Sequence, residues 1–543
     1  MPQISESTEK LISYYQNWHQ SLRPKEEITT IHADEVASKV AAFYEKIRTI
    51  VDWKEEHLMR RSAIIRKLKR KFLNLELNGE KELPEIQKEV AESLILELIR
   101  GGHFPNDRIE EIKILEVQKI INKYVFILKD VPEIKNKREQ LQFYNWILEI
   151  AACEIEETIS PLVKEKGLIN YMFELMKKRI RVNEGVFKTD ILKEEEKNIQ
   201  IYIAVQQALF KLDHPIISYN LLKYKFPYWT SQTKERFPET AKNIYKIWKD
   251  VEKDLTNHLG KKFYTICEKY DTPYLLLGDI LSEEKKEIIK EISNPETLET
   301  LTKKAYEKRL STLKHRLFRA AFYTTLSVLL GNGLSLFLIE IPLARLIHGR
   351  FTPLSIVVDI FESTLLMFLF VATVKLPSKT NLSLVIIETM KITYQTKKID
   401  SYEIKIPRTK GLITRFLITL IYLLSVSVSL AILVSIFELA KFPITSIIIN
   451  IIFIPITIFA GLAVRRKSEE LTVEEKRGSF FSFLIDIFSL PIAGLGKWLA
   501  NKWKRYNAIA AFFNALIDMP FFVFVEFLEQ WRFFLKEKKE EIH

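Results

Sequence analysis

Two carboxylates stand in the middle of an apolar stretch, Ser355 to Phe370, which reads SIVVDIFESTLLMFLF. Asp359 and Glu362 are three positions apart and Ser363 follows directly, so a helix would place all three on one face. A carboxyl group that leaves water holds its proton more tightly, and it can then bind and release that proton near neutral pH. The spacing therefore predicts an intramembrane site for a proton or a cation.

Further polar residues occur in the neighbouring apolar segments. Asn332 stands between two glycines near the centre of the uncharged run 320–339, and Asn450 lies in the uncharged run 442–464. Side chains of this kind inside a membrane usually face the interior of a helix bundle. The candidate polar seam therefore consists of Asn332, Asp359, Glu362, Ser363 and Asn450.

The acid pair also has a purely structural explanation. Asp359 can pair with Arg345 or Arg350, while Glu362 remains protonated and hydrogen-bonds a neighbouring Ser or Asn. Inserting an acid near a helix centre costs roughly 2.5 to 3.5 kcal/mol, so the two acids cost about 6 kcal/mol, and the fourteen Leu, Ile, Val and Phe residues of 351–374 return about 6 kcal/mol in total. We therefore expect this segment to insert together with the preceding one.

A second charged group occurs in RRSAIIRKLKRK (60–71), where seven of twelve residues are basic and the apolar ones recur at helical spacing. A basic amphipathic helix can lie on an anionic membrane surface or bind nucleic acid, although more often such a run is the solvated side of a packed helix. The candidate membrane-surface patch consists of Arg60, Arg61, Arg66, Lys67, Lys69, Arg70 and Lys71.

Sequence motifs for catalysis are missing. The chain has no HExxH, GxSxG or GxxxxGK[ST] string, and its nine histidines lack ligand spacing. The two cysteines, Cys153 and Cys267, are too far apart to suggest a disulfide framework or a metal site. We therefore expect no cofactor and no metal, and the sequence leans against an enzyme without excluding one.

The periodicity of apolar residues predicts the elements that position these groups. Apolar residues return every three to four positions up to about residue 310, as in DEVASKVAAFYEKIRTIVDW (34–53). Later apolar segments are long enough to cross a hydrocarbon core of roughly 30 Å. The predicted spans are about 317–343, 351–374, 412–438 and 442–464. We therefore predict an all-α protein, in which a cytosolic helical domain (1–310) precedes a four-span transmembrane bundle (311–465).

The region 466–543 is predicted to associate with the membrane. Its segments 480–496 and 508–535 are apolar, but each contains an Asp and a Pro, so re-entrant, interfacial and spanning arrangements all stay open. If both segments crossed, the loop between them would place four Lys and Arg residues outside, which favours re-entrant or interfacial helices. The charged tail is expected in the cytosol.

Charge is distributed unevenly along the chain. Residues 1–316 contribute +4 and residues 317–543 contribute +8 to the net charge of +12, so the basic excess follows the membrane half. Eight Lys and Arg residues in 375–411 and five in 465–478 mark cytosolic loops. This predicts an inner-membrane protein with a cytosolic N-terminal domain, a polar start without a cleavable signal, and no nucleic-acid partner.

Three strings, KIRTIVDWKEEHLMRR (46–61), LIRGGHFPND (98–107) and FVEFLEQWRFFLKEKKEEI (524–542), resemble segments of uncharacterised multi-pass membrane proteins of uncultured bacteria. The resemblance implies a bacterial inner-membrane setting. It carries no activity, cofactor or site residue over to this chain.

These observations lead to one principal functional expectation. We expect a membrane-anchored interaction or scaffold protein, whose partners are the lipid bilayer, a cytosolic protein and, in some arrangements, a second copy of the chain. The alternatives are a transporter or channel that uses the intramembrane carboxylate pair, and a membrane-embedded enzyme acting on lipid or envelope precursors.

Overall fold

A computed structural model describes most of the helical segments of the chain. It covers residues 3–22, 29–32, 60–69, 89–100, 103–129, 131, 134–182, 193–231, 236–283, 288–335, 341–348, 361–362, 364–370, 374, 376–394, 400–404, 411–439, 442–473, 491–501 and 531. These residues are predominantly α-helical, which confirms the predicted all-α class. They fall into two compact units. The N-terminal unit includes Glu9–Glu268 and Asp400–Ile404, and the C-terminal unit includes Met1–Thr8, Lys269–Ile399 and Lys405–Asn507.

Helices build the described part of the N-terminal unit. They are α1 (Glu6–Ser21, which starts in the other unit), α2 (Glu89–Arg100), α3 (Ile112–Lys129), α4 (Lys137–Ile159), α5 (Val163–Arg179), α6 (Glu194–Phe210), α7 (His214–Lys225), α8 (Phe237–Leu255) and α9 (Gly260–Lys269). A further helical stretch spans 60–69. Local signals fix several of the starts: Asn136 accepts hydrogen bonds from the first backbone N–H groups of α4, and Pro215 occupies the first turn of α7.

The largest hydrophobic core of this unit lies between α2, α3, α4 and the 60–69 stretch. It buries large side chains such as Leu98, Tyr124 and Trp146 almost completely, and it also takes in Trp229 from the turn after α7. Burial of this apolar surface is the main driving force for packing these helices together. The same helices carry the charged residues considered below.

Two three-residue strands form the one sheet found among the described residues. Strand β1 (Ile180–Val182) directly follows α5 and pairs in parallel with β2 (Tyr402–Ile404), with Ile180 opposite Tyr402. The guanidinium of Arg179 donates a hydrogen bond of 3.2 Å to the hydroxyl of Tyr402. A segment far along the chain is thus attached to the N-terminal unit.

The C-terminal unit contains both short and very long helices. They are α10 (Asp271–Ser282), α11 (Ile288–Ser293), α12 (Pro295–Ser335), α13 (Ile341–His348), α14 (Lys379–Thr393), α15 (Leu412–Leu439) and α16 (Ile444–Lys467). Further helical stretches cover 361–370, apart from residue 363, and 491–501. Helix α12 has 41 residues and runs without a break past residue 310, where the sequence suggested a domain boundary.

Buried Asn381 joins two parts of this unit. Its side-chain amide donates to the hydroxyl of Tyr306 at 3.0 Å and to the carbonyl of Leu471 at 2.8 Å, and its oxygen accepts from the N–H of Val473 at 2.8 Å. All three links are inaccessible to water, so α14 is fixed to the segment that follows α16. Burial without these partners would cost the full desolvation of the amide.

Two helices of the described part are long and apolar enough to cross a membrane. They comprise Leu412–Leu439 with 28 residues and Ser446–Lys467 with 22 residues, and both have a mean hydropathy of 2.6. The predicted spans 412–438 and 442–464 fall on them. The predicted span 317–343 begins within α12, whereas 351–374 is described only in part, and most of 480–496 and 508–535 lies outside the described residues.

Candidate functional site

One face of α16 is polar although the helix as a whole is apolar. Ser446, Asn450 and Thr457 are each at most 1% exposed. At 3.6 residues per turn these positions fall within about 40° of one another around the helix axis. A polar stripe therefore faces the interior of the C-terminal unit, where neighbouring helices shield it.

The helical stretch 361–370 lies beside this helix. Gly461 of α16 is so close to Phe370 that a Cβ atom there would lie 2.7 Å from the Cγ of the ring. Leu366, one turn earlier, packs against the cluster that contains Ile447 and Ile454. Met367 belongs to a different cluster that contains Val464. We take the direction of the two helices from the predicted spans 351–374 and 442–464, which cross the same way.

With this direction, the level of Glu362 along the helix axis follows from the contact between Phe370 and Gly461. Its Cα is about 12 Å before that of Phe370 along the axis, and Asn450 is about 16.5 Å before Gly461, at about 1.5 Å per residue. Glu362 and Asn450 therefore lie within about one helical turn of the same level. A carboxyl group and a buried amide at one level supply oxygen ligands and hydrogen-bonding groups for a proton or a small cation.

The remaining members of the candidate polar seam are less well placed. Asn332 lies on α12, but its side chain is outside the described part, as are Asp359 and Ser363 entirely. The pairing of Asp359 with Arg345 or Arg350 stays a prediction for the same reason. Of the five residues, Glu362 and Asn450 are the two that the predicted span direction and the contact at Gly461 place at one level.

The candidate membrane-surface patch is partly engaged inside the N-terminal unit. Arg61 is 3% exposed and pairs with Asp213, while Lys67 pairs with Glu97. Lys69 donates to the side chain of Asn145 at 2.8 Å. Arg60 lies 3.7 Å from Glu156 and over the ring of Phe104. Arg66 belongs to the same helical stretch, whereas Arg70 and Lys71 lie outside the described residues.

A buried ion pair joins α3 and α4, and sequence reasoning missed it. The Nζ of Lys123 lies 2.5 and 2.7 Å from the two carboxylate oxygens of Glu154, and these side chains are 5% and 3% exposed. The hydroxyl of Tyr124 donates to Glu154 at 2.6 Å. The carbonyl of Trp229 accepts from Lys123 at 3.2 Å, and the indole N–H donates to Tyr124 at 3.1 Å. We call these four residues the buried polar cluster.

Burial dominates the electrostatics of the buried polar cluster. Desolvation lowers the pKa of Lys123, and the charge of Glu154 offsets only part of that effect. Burial and the same carboxylate raise the pKa of Tyr124 well above its usual value, so this phenol stays protonated and acts as a hydrogen-bond donor. The cluster is thus a fully satisfied network that holds the turn after α7 against α3 and α4.

A sequence signal for this cluster existed. Lys123 stands in the apolar string IINKYVFIL, and Glu154 stands in IAACEI, so each charge interrupts a core-facing run. A charge in such a position is rarely buried without a partner. The pattern marks each residue as buried and paired, but nothing in it joins position 123 to position 154.

Other carboxylates of α4 continue this pattern of charge pairing. Burial raises the pKa of Glu156, although the guanidinium groups of Arg60 and Arg61 act in the opposite direction. Burial also raises the pKa of the Cys153 thiol to about 12, which keeps this thiol protonated and unreactive. Glu157 contacts two lysines, Lys166 and Lys223. Within the described residues no group of three or more His, Cys, Asp or Glu side chains could hold a metal ion.

A comparison with known proteins finds no matching protein family, no similar curated protein and no solved structure of similar fold. The resemblance to bacterial multi-pass membrane proteins therefore stays a prediction.

Proposed function

We propose that the chain is an integral membrane protein that presents its N-terminal unit as a docking module for a cytosolic protein. The observation that carries the membrane part is the surface of α15. Only 11% of its most apolar 18-residue stretch is buried inside the protein. Large side chains such as Leu412, Phe416 and Ile421 are more than half exposed. In water, an apolar surface of this extent would drive association, whereas lipid solvates it without penalty.

Basic residues support a cytosolic orientation of the N-terminal unit. Helix α16 ends in Arg465, Arg466 and Lys467, and eight Lys and Arg residues occupy the segment 375–411 before α15. Basic residues beside a span are retained on the cytoplasmic side. The C-terminal end of α16 and the segment before α15 would therefore both face the cytosol.

An exposed aromatic surface supports the docking role. Tyr224, Phe226 and Tyr228, which we call the aromatic patch, are 41%, 39% and 68% exposed at the end of α7 and in the turn after it. The next residue, Trp229, is 1% exposed and belongs to the buried polar cluster. Exposed aromatic side chains on a fixed backbone are typical of the energetic centres of protein interfaces. The patch is therefore the surface on which we expect a protein partner to bind.

The membrane assignment is tested by fractionation. The full chain should remain with membranes after washing at alkaline pH, and a variant with Ile421→Lys and Leu424→Lys on α15 should be released or degraded. Exchange of two exposed leucines of the N-terminal unit, Leu141→Lys and Leu162→Lys, is the matched control and should not alter membrane retention. Recovery of the unaltered chain in the soluble fraction would refute the proposal.

The docking role is tested by quantitative affinity isolation from gently solubilised membranes. The full chain should recover a partner in near-stoichiometric amount. The double variant Phe226→Ala and Tyr228→Ala should reduce that recovery about tenfold, as loss of roughly 1.4 kcal/mol of binding free energy implies. Leu141→Ala, an equally exposed apolar site on α4, is the control. Equal recovery by both variants would exclude the aromatic patch.

The polar face of α16 favours a second candidate function, transport of protons or a small cation. Glu362 and Asn450 would then form the binding site, within an oligomer because few spans are available. Vesicles that contain the reconstituted protein should acidify or take up cations. Glu362→Gln should abolish this flux, whereas Glu388→Gln on α14 should leave it unchanged. Flux that persists in Glu362→Gln would remove this site from consideration.

A further inference from the structure

Two lysines of the N-terminal unit converge on one carboxylate. The Nζ of Lys223 on α7 lies 2.5 Å from one oxygen of Glu157, and the Nζ of Lys166 on α5 contacts the other oxygen. Glu157 belongs to the last turn of α4 and is 18% exposed. A single carboxylate can compensate only one of the two ammonium charges, so the three groups together carry an uncompensated positive charge.

The two lysines differ in their surroundings. Lys223 is 19% exposed, and its Nζ also lies 4.1 Å from the centre of the Tyr219 ring, an arrangement that stabilises an ammonium by cation–π attraction. Lys166 has no such ring contact among the described residues and is 46% exposed. Lys166 is therefore the lysine of this pair that a reagent in solvent reaches more readily.

Groups on every neighbouring helix act on this pair. Burial lowers the pKa of Lys223 to about 8, although the contact with Lys166 and the charges of Cys153 and Glu154 on α4 act in the opposite direction. Lys164 and Glu165 accompany Lys166 on α5. The first turn of α5 disfavours an ammonium at Lys166, whereas the last turn of α4 favours one, and each effect amounts to about 0.3–1 kcal/mol. Because these helix-end effects oppose each other, burial and the second lysine determine the pKa of Lys166. Burial, followed by the charge of Lys223, lowers the pKa of Lys166 to about 8.

We propose that Lys166 is a modification site, whose neutral amine accepts an acyl group from an acyl phosphate or an acyl thioester. The site combines two properties that rarely coincide in a lysine. Its side chain is half-exposed and reachable by a small reagent, and its charge is opposed by a second ammonium at the same carboxylate. An ordinary surface lysine has the first property but remains protonated at neutral pH.

The chemistry is an acyl transfer without change of oxidation state. The lone pair of Nζ attacks the carbonyl carbon, a C–N bond forms, and the C–O bond to phosphate or the C–S bond to the thiol breaks. The proton lost from nitrogen passes to solvent, and phosphate or thiolate departs with the bonding electron pair. The product is a neutral amide, which leaves Lys223 and Glu157 as a balanced pair. Acylation should therefore be tolerated by the folded N-terminal unit.

The test is site-resolved acetylation of the full chain in detergent, with acetyl phosphate and acetyl-CoA used in parallel between pH 6.5 and 10. Lys177 is the internal reference, because it lies on the same helix, is 32% exposed, and contacts a carboxylate, Glu174, at 3.2 Å. At pH 7.5 Lys166 should acquire the acetyl group about ten times faster than Lys177, since more of it is neutral. The two reagents distinguish phosphate from thioester donors.

Two variants keep the test decisive. Lys223→Gln removes the competing ammonium, so the rate at Lys166 should fall about tenfold at pH 7.5, while the rate at Lys177 stays unchanged. Lys166→Arg should abolish the fast-reacting peptide and leave the helical signal of the protein intact. Equal rates at Lys166 and Lys177 at pH 7.5, or a rate at Lys166 that ignores Lys223→Gln in a folded protein, would overturn the proposal.

Discussion

The Nζ of Lys123 lies 2.5 and 2.7 Å from the two carboxylate oxygens of Glu154, in a part of the N-terminal unit that water does not reach. Two helices are thereby joined by opposite charges, and the turn that carries the aromatic patch is attached to the same pair through Trp229. An ion pair in such surroundings gains electrostatic attraction but loses hydration. Its contribution to the free energy of unfolding therefore depends on both partners being present.

Removal of one partner should therefore be far more damaging than removal of both. We expect Lys123→Met and Glu154→Leu each to lower the free energy of unfolding by about 3–5 kcal/mol, because each leaves a buried charge without compensation. The double variant should be more stable than the worse of the two. Denaturation of the full chain in detergent, followed by tryptophan fluorescence, measures all three.

The exposed pair of Lys177 and Glu174 is the control for this cycle, since both side chains are about a third or more accessible. Lys177→Met should change stability by less than about 1 kcal/mol. A double variant that loses the sum of the two single effects would show that the two buried groups act independently, contrary to this expectation.

A histidine gives the N-terminal unit a pH-dependent contribution. The Nε2 of His214 lies 3.5 Å from Glu252, and this contact, ahead of the opposing effect of burial, raises the pKa of His214 above 6.5. The folded state therefore binds the proton more tightly than the unfolded chain does. The stabilisation is complete below pH 6.5 and is lost as the pH rises through the higher folded-state pKa.

Stability measured by denaturant between pH 5.5 and 8.5 should reveal this loss in the unaltered chain. The fall just above pH 6.5 should shrink in His214→Gln and in Glu252→Gln, because either change removes the contact. Identical pH profiles for the unaltered chain and both variants would contradict this assignment.

Gly496 permits the helical stretch 491–501 to pack directly on α16. A Cβ atom at this position would collide with the backbone carbonyl of Pro455, which cannot move aside as a side chain could. Small residues allow this kind of close backbone approach between membrane helices. We expect Gly496→Ala to lower the melting temperature in detergent by several degrees, and Gly496→Leu to lower it further.

Gly411 provides a matched control, because a Cβ there meets nothing within 4 Å. Gly411→Ala should leave the melting temperature unchanged. If Gly496→Ala and Gly411→Ala melt alike, the direct packing of the two helices is not what stabilises this region.

Replacement of Asn381 by an apolar residue of similar size should lower the stability of the C-terminal unit. Asn381→Leu leaves the N–H of Val473 and the carbonyl of Leu471 buried without their partner, which should cost about 2–4 kcal/mol. Tyr306→Phe removes a single hydrogen bond from the same amide and should cost about 1 kcal/mol. Limited proteolysis near residue 473 and thermal melting can rank the two variants, and the reverse order would disprove this role of Asn381.

Features that depend on local sequence were predictable, and α15 shows why. Hydropathy alone identifies a run of apolar residues that is longer than a bilayer requires. The predicted span 412–438 and the helix Leu412–Leu439 therefore nearly coincide. The continuity of α12 past residue 310 was not expected, because a change from polar to apolar composition alters what surrounds a helix without breaking its backbone hydrogen bonds.

Features that depend on long-range packing were not predictable. Arg61 belongs to a strongly basic string, and composition favours a solvated or membrane-facing side chain, yet it is buried against Asp213, 152 positions away. Lys123 and Glu154 meet because α3 and α4 pack side by side, and that register is set by apolar packing between the two helices that no local pattern encodes. The level shared by Glu362 and Asn450 depends on the contact between Phe370 and Gly461, which no local pattern predicts.

Helix α12 also has a mechanical consequence. Its 41 residues form a hydrogen-bonded rod about 60 Å long, which packs against α10, α11, α14 and α16 and whose C-terminal part is apolar. A rod of this kind transmits a tilt with little loss. If lipid thickness or lateral pressure inclined its apolar end by about 10°, a point about 30 Å away would swing through about 5 Å. A displacement of that size is close to the rise of one helical turn, about 5.4 Å, so a tilt of α12 would move its polar end by about one turn relative to the helices packed beside it.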